Sequence, residues 1–209
     1  MELDEIKSAW AQYDKKLNEN LKLNEELLRK MNLEKTKKEL QHPLIGEIVN
    51  MIALSLVILF IGSNTIKYLH ELRFSISGLI TVAIAMFGLT TTIMKTNKLL
   101  NIDYYGSSII ALQKEIASVN KFILTQRRIE YFLIPILVIA MTPIAFKIIN
   151  NVDLYTRMKL FIAEIVLILC TSFPIILWIN KYLYDKKFQN AKRFLEDIER
   201  FEREEIVNE

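Results

Sequence analysis

Apolar and polar residues are sharply segregated along the chain. Four apolar blocks occupy about 44–66 (LIGEIVNMIALSLVILFIGSNTI), 74–94 (FSISGLITVAIAMFGLTTTIM), 129–149 (IEYFLIPILVIAMTPIAFKII) and 160–179 (LFIAEIVLILCTSFPIILWI). Each holds roughly 20 residues, which as a helix rising 1.5 Å per residue covers a hydrocarbon core of about 30 Å. The pattern predicts an all-α integral membrane protein with four spanning helices within 44–183.

The segments outside the blocks share one period. In the arm, 1–43, Leu3, Ile6, Trp10, Tyr13 and Leu17 are spaced 3, 4, 3, 4, an a/d stripe on one helix face. The register continues through Asn20 and Asn24 to Leu27 and Met31, and a shifted stripe through Leu21 and Leu28 is the alternative. Pro43 is expected to end this helix. In the middle connection, 95–128, Ile109, Leu112, Ile116, Val119 and Ile123 repeat the spacing after a turn-rich NIDYYGSS. The tail, 184–209, does so with Tyr184, Phe188, Ala191, Leu195 and Ile198. Three seams of one period suggest helices that pack together beneath the membrane, in coiled-coil fashion. The rival reading makes one of them a docking helix for a cytosolic protein, with Ile6, Trp10, Tyr13 and Leu17 as the contact residues. A helix over 108–128 is about 30 Å long. Either it lies along the membrane surface, or 101–106 stretch to bridge the height difference from the second span.

Within the second span, Gly78, Thr81, Ala85, Gly88 and Thr92 recur at steps of 3, 4, 3 and 4. Small residues let helices approach closely in lipid, so this face is either the contact of the bundle or a dimer seam. Pro135, Pro143 and Pro174 fall inside spans three and four, where they produce ordinary kinks or mark a broken transport helix. Glu164 is an ionisable group inside span four. It reads as a proton or cation site, or as a structural acid neutral or paired with Lys147 or Lys67.

Charge sets the expected direction. The arm (1–43), the middle connection (95–128) and residues 180–209 hold 22 of the 27 Lys and Arg residues, which places both termini on the cytoplasmic side. The two outer connections are short. The opening MELDEIKSAW lacks the continuous apolar core of a signal peptide, so no cleavage is expected. A net charge of +3 is too small and dispersed to argue for direct nucleic-acid binding. Cys170 is the one cysteine and sits in an apolar block, while His42 and His70 fall on opposite predicted sides. No metal set has usual ligand spacing. Five glycines leave no phosphate-cradling loop, and no Gly-x-Ser-x-Gly turn is present. Neither catalytic residues nor cofactors are expected, and the chain is not read as an enzyme.

The opening ELDEIKSAWAQYDKKL, followed by LKLNEELLRKMNLEK, resembles the start of small multi-pass membrane proteins of Bacteroidota found beside genes for extracytoplasmic-function sigma factors. The resemblance covers mainly residues 2–40. It implies an anti-sigma-like regulator of the bacterial inner membrane, with the arm holding a sigma factor-like protein. The zinc-binding His/Cys motif of many anti-sigma factors and a large outer sensor domain are missing here. Two other classes stay open beside this reading: a small transporter or channel subunit, and a structural homo-oligomeric membrane protein.

Overall fold

The computed structural model describes the backbone of residues 3–208, and side-chain surroundings except for 1–6, 9, 18 and 201–209. All regular elements described are helices: α1 (Leu3–Lys67), α2 (Leu72–Leu100), α3 (Ile109–Asn150), α4 (Met158–Ile179), a single π-helical turn at Asn180–Asp185, and α5 (Lys186–Asn208). The four expected apolar blocks lie on four helices long and apolar enough to cross a membrane. The end of the bundle that carries the arm, the middle connection and the tail is called the arm end below. The other is the far end.

Pro43 does not end the arm. α1 runs unbroken through it for 65 residues, roughly 100 Å. Proline inside a helix removes one hydrogen bond and crowds the preceding turn, at a cost of about 3 kcal/mol. Packing on both sides offsets this. Leu33, Thr36, Leu40, Pro43 and Glu47 form a buried 3, 4, 3, 4 stripe. Glu39 of the same turn pairs with Lys187 of α5 at 3.0 Å. Pro135 and Pro143 are likewise absorbed within α3, and Pro174 within α4, so none of these helices is broken at a proline.

The helix expected at 108–128 continues straight into the third apolar block as the 42-residue α3. It is one helix with that block rather than a separate surface helix. α3 outruns α2 by 13 residues, roughly 20 Å. The eight residues 101–108 can reach about 26 Å, which spans that difference. The connection is tied down at both ends. Ile102 is buried, Asp103 Oδ1 accepts from the Gly106 amide at 2.8 Å, and Ser108 caps α3 by accepting from Ala111 N at 3.3 Å.

Two of the three expected seams meet. Ile109, Leu112, Ile116, Val119 and Ile123 of α3 are all buried, as are Tyr184, Phe188, Ala191, Leu195 and Ile198. They form one core with Leu99, Ile102, Leu33 and Leu40. Each fully buried aliphatic or aromatic side chain there contributes roughly 1.5–3 kcal/mol relative to exposure. The arm joins this core only from Asn32 onward, on a face different from the one Trp10 occupies.

The Gly78–Thr92 stripe is a contact within the bundle. Gly78, Thr81, Ala85 and Thr92 are buried and Gly88 half-buried, between α1 and α3. A Cβ on Gly78 would come within 2.7 Å of Ile144 Cδ1 and also meet Thr65. Ser77 donates to the Ala140 carbonyl across the same interface. At the far end Phe74 and Leu154 are buried, and Tyr155 stacks edge-on against Phe74 with centroids 5.4 Å apart.

Candidate functional site

The α2 stripe does not stop at Thr92. Its next two positions are Lys95 and Leu99, and both are buried. The α1 stripe passes through Pro43, Glu47, Asn50 and Leu54 in the same way. Helical register thus turns a lysine and a glutamate into the bundle at one height. Glu47 is 1% exposed and Lys95 3%. Desolvated charges are costly unless paired, and here they are paired. Lys95 Nζ lies 3.6 Å from Glu47 Oε1 and also bonds Glu130 Oε1 of α3. One turn along, Asn50 Nδ2 donates to Thr92 Oγ1 at 3.0 Å.

The π-helical turn supplies the fourth side of this cluster. Tyr184 donates its phenol proton to Glu47 Oε1 at 2.7 Å. Asp185 accepts from Arg127 Nη1 at 2.7 Å, and the Arg127 guanidinium lies 5.2 Å from the Tyr184 ring centroid. Asn180 donates to the Tyr131 hydroxyl at 3.0 Å. A π turn adds a residue's width to the helix, so Asn180, Tyr184 and Asp185 can face α1 and α3 while α5 keeps its own seam buried. Close approach depends on Gly46, where a Cβ would sit 2.6 Å from Leu183 Cδ2. Burial, and then the facing Glu47 carboxylate, push the Tyr184 phenol well above its ordinary range. It is therefore a neutral donor.

Two atoms of the cluster are buried without a hydrogen-bond partner: Glu47 Oε2 and Arg127 Nη2. Both residues line a cavity of about 770 Å³. Its walls are apolar, from Val49 and Leu54 of α1, Leu133 and Leu137 of α3, and Ile176 and Trp178 of α4. The Cα atoms of α1 and α4 never come within 8 Å of each other, and Val49 and Trp178 beside this gap are exposed. Toward the arm end its lining includes Gly46, Leu183 and Tyr184, which pack against one another.

The residues singled out in the sequence have other positions. Trp10 is 66% exposed, Tyr13 67% and Leu17 48%. Leu21, Leu27, Leu28 and Met31 are exposed as well, so neither the primary nor the shifted stripe of the arm is covered by the middle or tail helix. The expected packing of the arm stripe on those helices is thus corrected: its described residues are exposed. Ile6 lies outside the described side chains. Glu164 is half-exposed on α4, remote from the cluster, and makes no hydrogen bond or ion pair among the described residues. Its expected partners are engaged elsewhere, Lys147 with Glu71 at 3.7 Å and Lys67 with Asn64 at 3.5 Å. Cys170 is a free, exposed thiol on the same helix.

The Glu47–Lys95–Glu130–Tyr184 cluster escapes a reading that treats Lys95 and Glu130 as the polar ends of spans. The signal that finds it is the extension of the Gly78–Thr92 register by one step. Compared with known protein families, with curated proteins and with solved structures, the chain matches none.

Proposed function

We propose that the protein is a membrane-anchored interaction protein of the bacterial inner membrane, with both termini in the cytoplasm. Its arm docks a cytosolic regulatory protein of the sigma-factor kind and holds it at the membrane. The observation that carries this reading is the uncovered stripe of Trp10, Tyr13 and Leu17 on a helix whose next segment is clamped to the bundle. Tryptophan and tyrosine are the residue types that most often dominate the energetics of protein interfaces. The distribution of Lys and Arg supports the cytoplasmic placement, and the likeness of residues 2–40 to sigma-factor-associated membrane proteins supports the class of partner.

A coil between copies of the chain is the competing use of the stripe. Asn20 and Asn24 interrupt it after two heptads, whereas a stable coil needs three or four apolar heptads. That favours a partner with its own apolar groove. The test is a photo-crosslinker at Trp10 in the full-length membrane protein, expressed in its own host together with the host's extracytoplasmic-function sigma factors. An adduct with a sigma factor, lost in Tyr13→Ala with Leu17→Ala, is expected. An adduct only between copies of the chain, or none, overturns the reading.

A further inference from the structure

The cavity between α1 and α4 combines three features. It lies beside the gap between those helices, where no Cα atoms of α1 and α4 approach within 8 Å and the lining residues Val49 and Trp178 are exposed. Its walls are hydrocarbon over most of their height. Its arm end is lined by residues of opposite charge, Glu47 and Arg127, each with one atom sealed from the surroundings and without a hydrogen-bond partner, the carboxylate oxygen Oε2 and the guanidinium nitrogen Nη2, which a small rotation of either side chain would turn toward the cavity. Both residues are held by Tyr184, Glu47 at its hydroxyl and Arg127 on its ring face. A buried acceptor and a buried donor left without partners are each costly, and one molecule carrying a cation and an anion close together relieves both.

We propose that this cavity binds a zwitterionic phospholipid of the ethanolamine class from the leaflet at the arm end. The ammonium group meets Glu47 Oε2, the phosphate meets Arg127 Nη2, and one acyl chain lies along Leu54, Leu133, Leu137 and Ile176. Charge complementarity selects this occupant. An anionic glycerol-headed lipid satisfies Arg127 but leaves Glu47 facing another negative group, because it carries no cation. A choline head brings a positive charge without N–H donors and cannot hydrogen-bond the carboxylate. The volume lies within the range of about 300–1,000 Å³ typical of small-molecule sites, enough for one chain and part of a headgroup. The uncharged α4 wall, Ile176, Trp178 and Ile179, fits a ligand that enters sideways from lipid.

The test is native mass spectrometry of the full-length protein, delipidated in detergent and offered equimolar phosphatidylethanolamine, phosphatidylglycerol and phosphatidylcholine with identical acyl chains. One ethanolamine lipid is expected to be retained, with a preference of about tenfold over the others, the factor that one charge-assisted hydrogen bond supplies. Glu47→Gln should erase the preference over phosphatidylglycerol. Ala53→Trp, which fills the cavity without touching the charged cluster, should abolish retention while the protein stays folded by circular dichroism and gel filtration. Equal retention of all three lipids, preference for phosphatidylglycerol, no retained lipid, or retention unchanged by Ala53→Trp each overturns the proposal. So does a dimer that Ala53→Trp dissociates, which would assign the cavity to a second copy of the chain.

Discussion

Tyr184 and Glu47 are 137 residues apart in sequence and joined by a hydrogen bond of 2.7 Å. The bond ties the π turn before α5 to the middle of α1, so the tail and the first apolar helix are fixed in one register. Loss of the hydroxyl in Tyr184→Phe leaves Glu47 short of a donor in a buried place. A loss of about 1–3 kcal/mol is expected, read from thermal unfolding in detergent. In a Glu47→Gln background the same change should cost less, because the charge that needed the donor is gone. Equal costs in both backgrounds would show that the bond contributes little.

Lys95 stands between two carboxylates. Replacing it with methionine keeps the length of the side chain and removes the cation, leaving Glu47 and Glu130 without their shared counter-charge. Breaking a buried pair in this way costs about 3–5 kcal/mol. Lys95→Met should therefore express poorly or unfold far below the parent. Adding Glu47→Gln should recover much of the loss in the same unfolding assay.

The glycines of the first two helices differ in what surrounds them. A methyl group at Gly78 must displace Thr65 or Ile144 in a packed contact, and overpacking of this kind costs about 1–3 kcal/mol. At Gly62 the nearest atom to an added Cβ is Val82 Cγ2 at 3.8 Å, an ordinary contact. Gly62→Ala should leave stability unchanged or raise it by up to about 1 kcal/mol, the difference in helix propensity. Paired melting curves of the two alanine variants check the contrast.

Tyr104 packs against the core beneath the apolar helices, and burial, with the Glu115 carboxylate as a lesser cause, pushes its phenol up to about 12. Tyr184 is pushed in the same direction. The folded state therefore holds these protons more tightly than the unfolded chain. Below the ordinary value of 10 both states are protonated, and this contribution to stability is fully present. As pH rises from 10 toward 12 the unfolded chain ionises first and stability falls. Denaturant titrations across that window should show the fall, and Tyr104→Phe should make it shallower. A flat profile would contradict the assigned burial.

Because Trp10 and Tyr13 are exposed, Trp10→Ala with Tyr13→Ala should shift unfolding by no more than about 0.5 kcal/mol, as exposed substitutions do. Leu33→Ala and Leu40→Ala lie on the buried stripe of the same helix. Each should cost about 2–5 kcal/mol. Unfolding measurements on both sets separate the exposed half of α1 from its buried half.

Periodicity made much of this architecture legible. Ile109–Ile123 and Tyr184–Ile198 are buried on the faces their spacing assigned, and the Gly78–Thr92 stripe lies between α1 and α3. A repeat of 3 and 4 reports which face of a helix is turned inward. It does not report how far one helix slides along the next. Glu47, Lys95, Glu130 and Tyr184 come to one height only through such offsets, and the π turn that aims Tyr184 has no period of its own. Pro43 misled for a related reason: its local cost is certain, but the packing that outweighs it comes from α5, more than a hundred residues away.

α1 is a beam clamped at one end. From Asn32 inward it is gripped by α5 and then by α2. Outward from there to Trp10, over 22 residues or roughly 33 Å, its apolar side chains Met31, Leu28, Leu27, Leu21, Leu17 and Tyr13 are exposed. A load applied at the indole acts as a bending moment whose fulcrum is the turn at Leu33 and Thr36, against Lys35 and the ring of Phe194. Whatever grasps the tip therefore pulls on the seat of α5 long before it strains the helices in the bilayer.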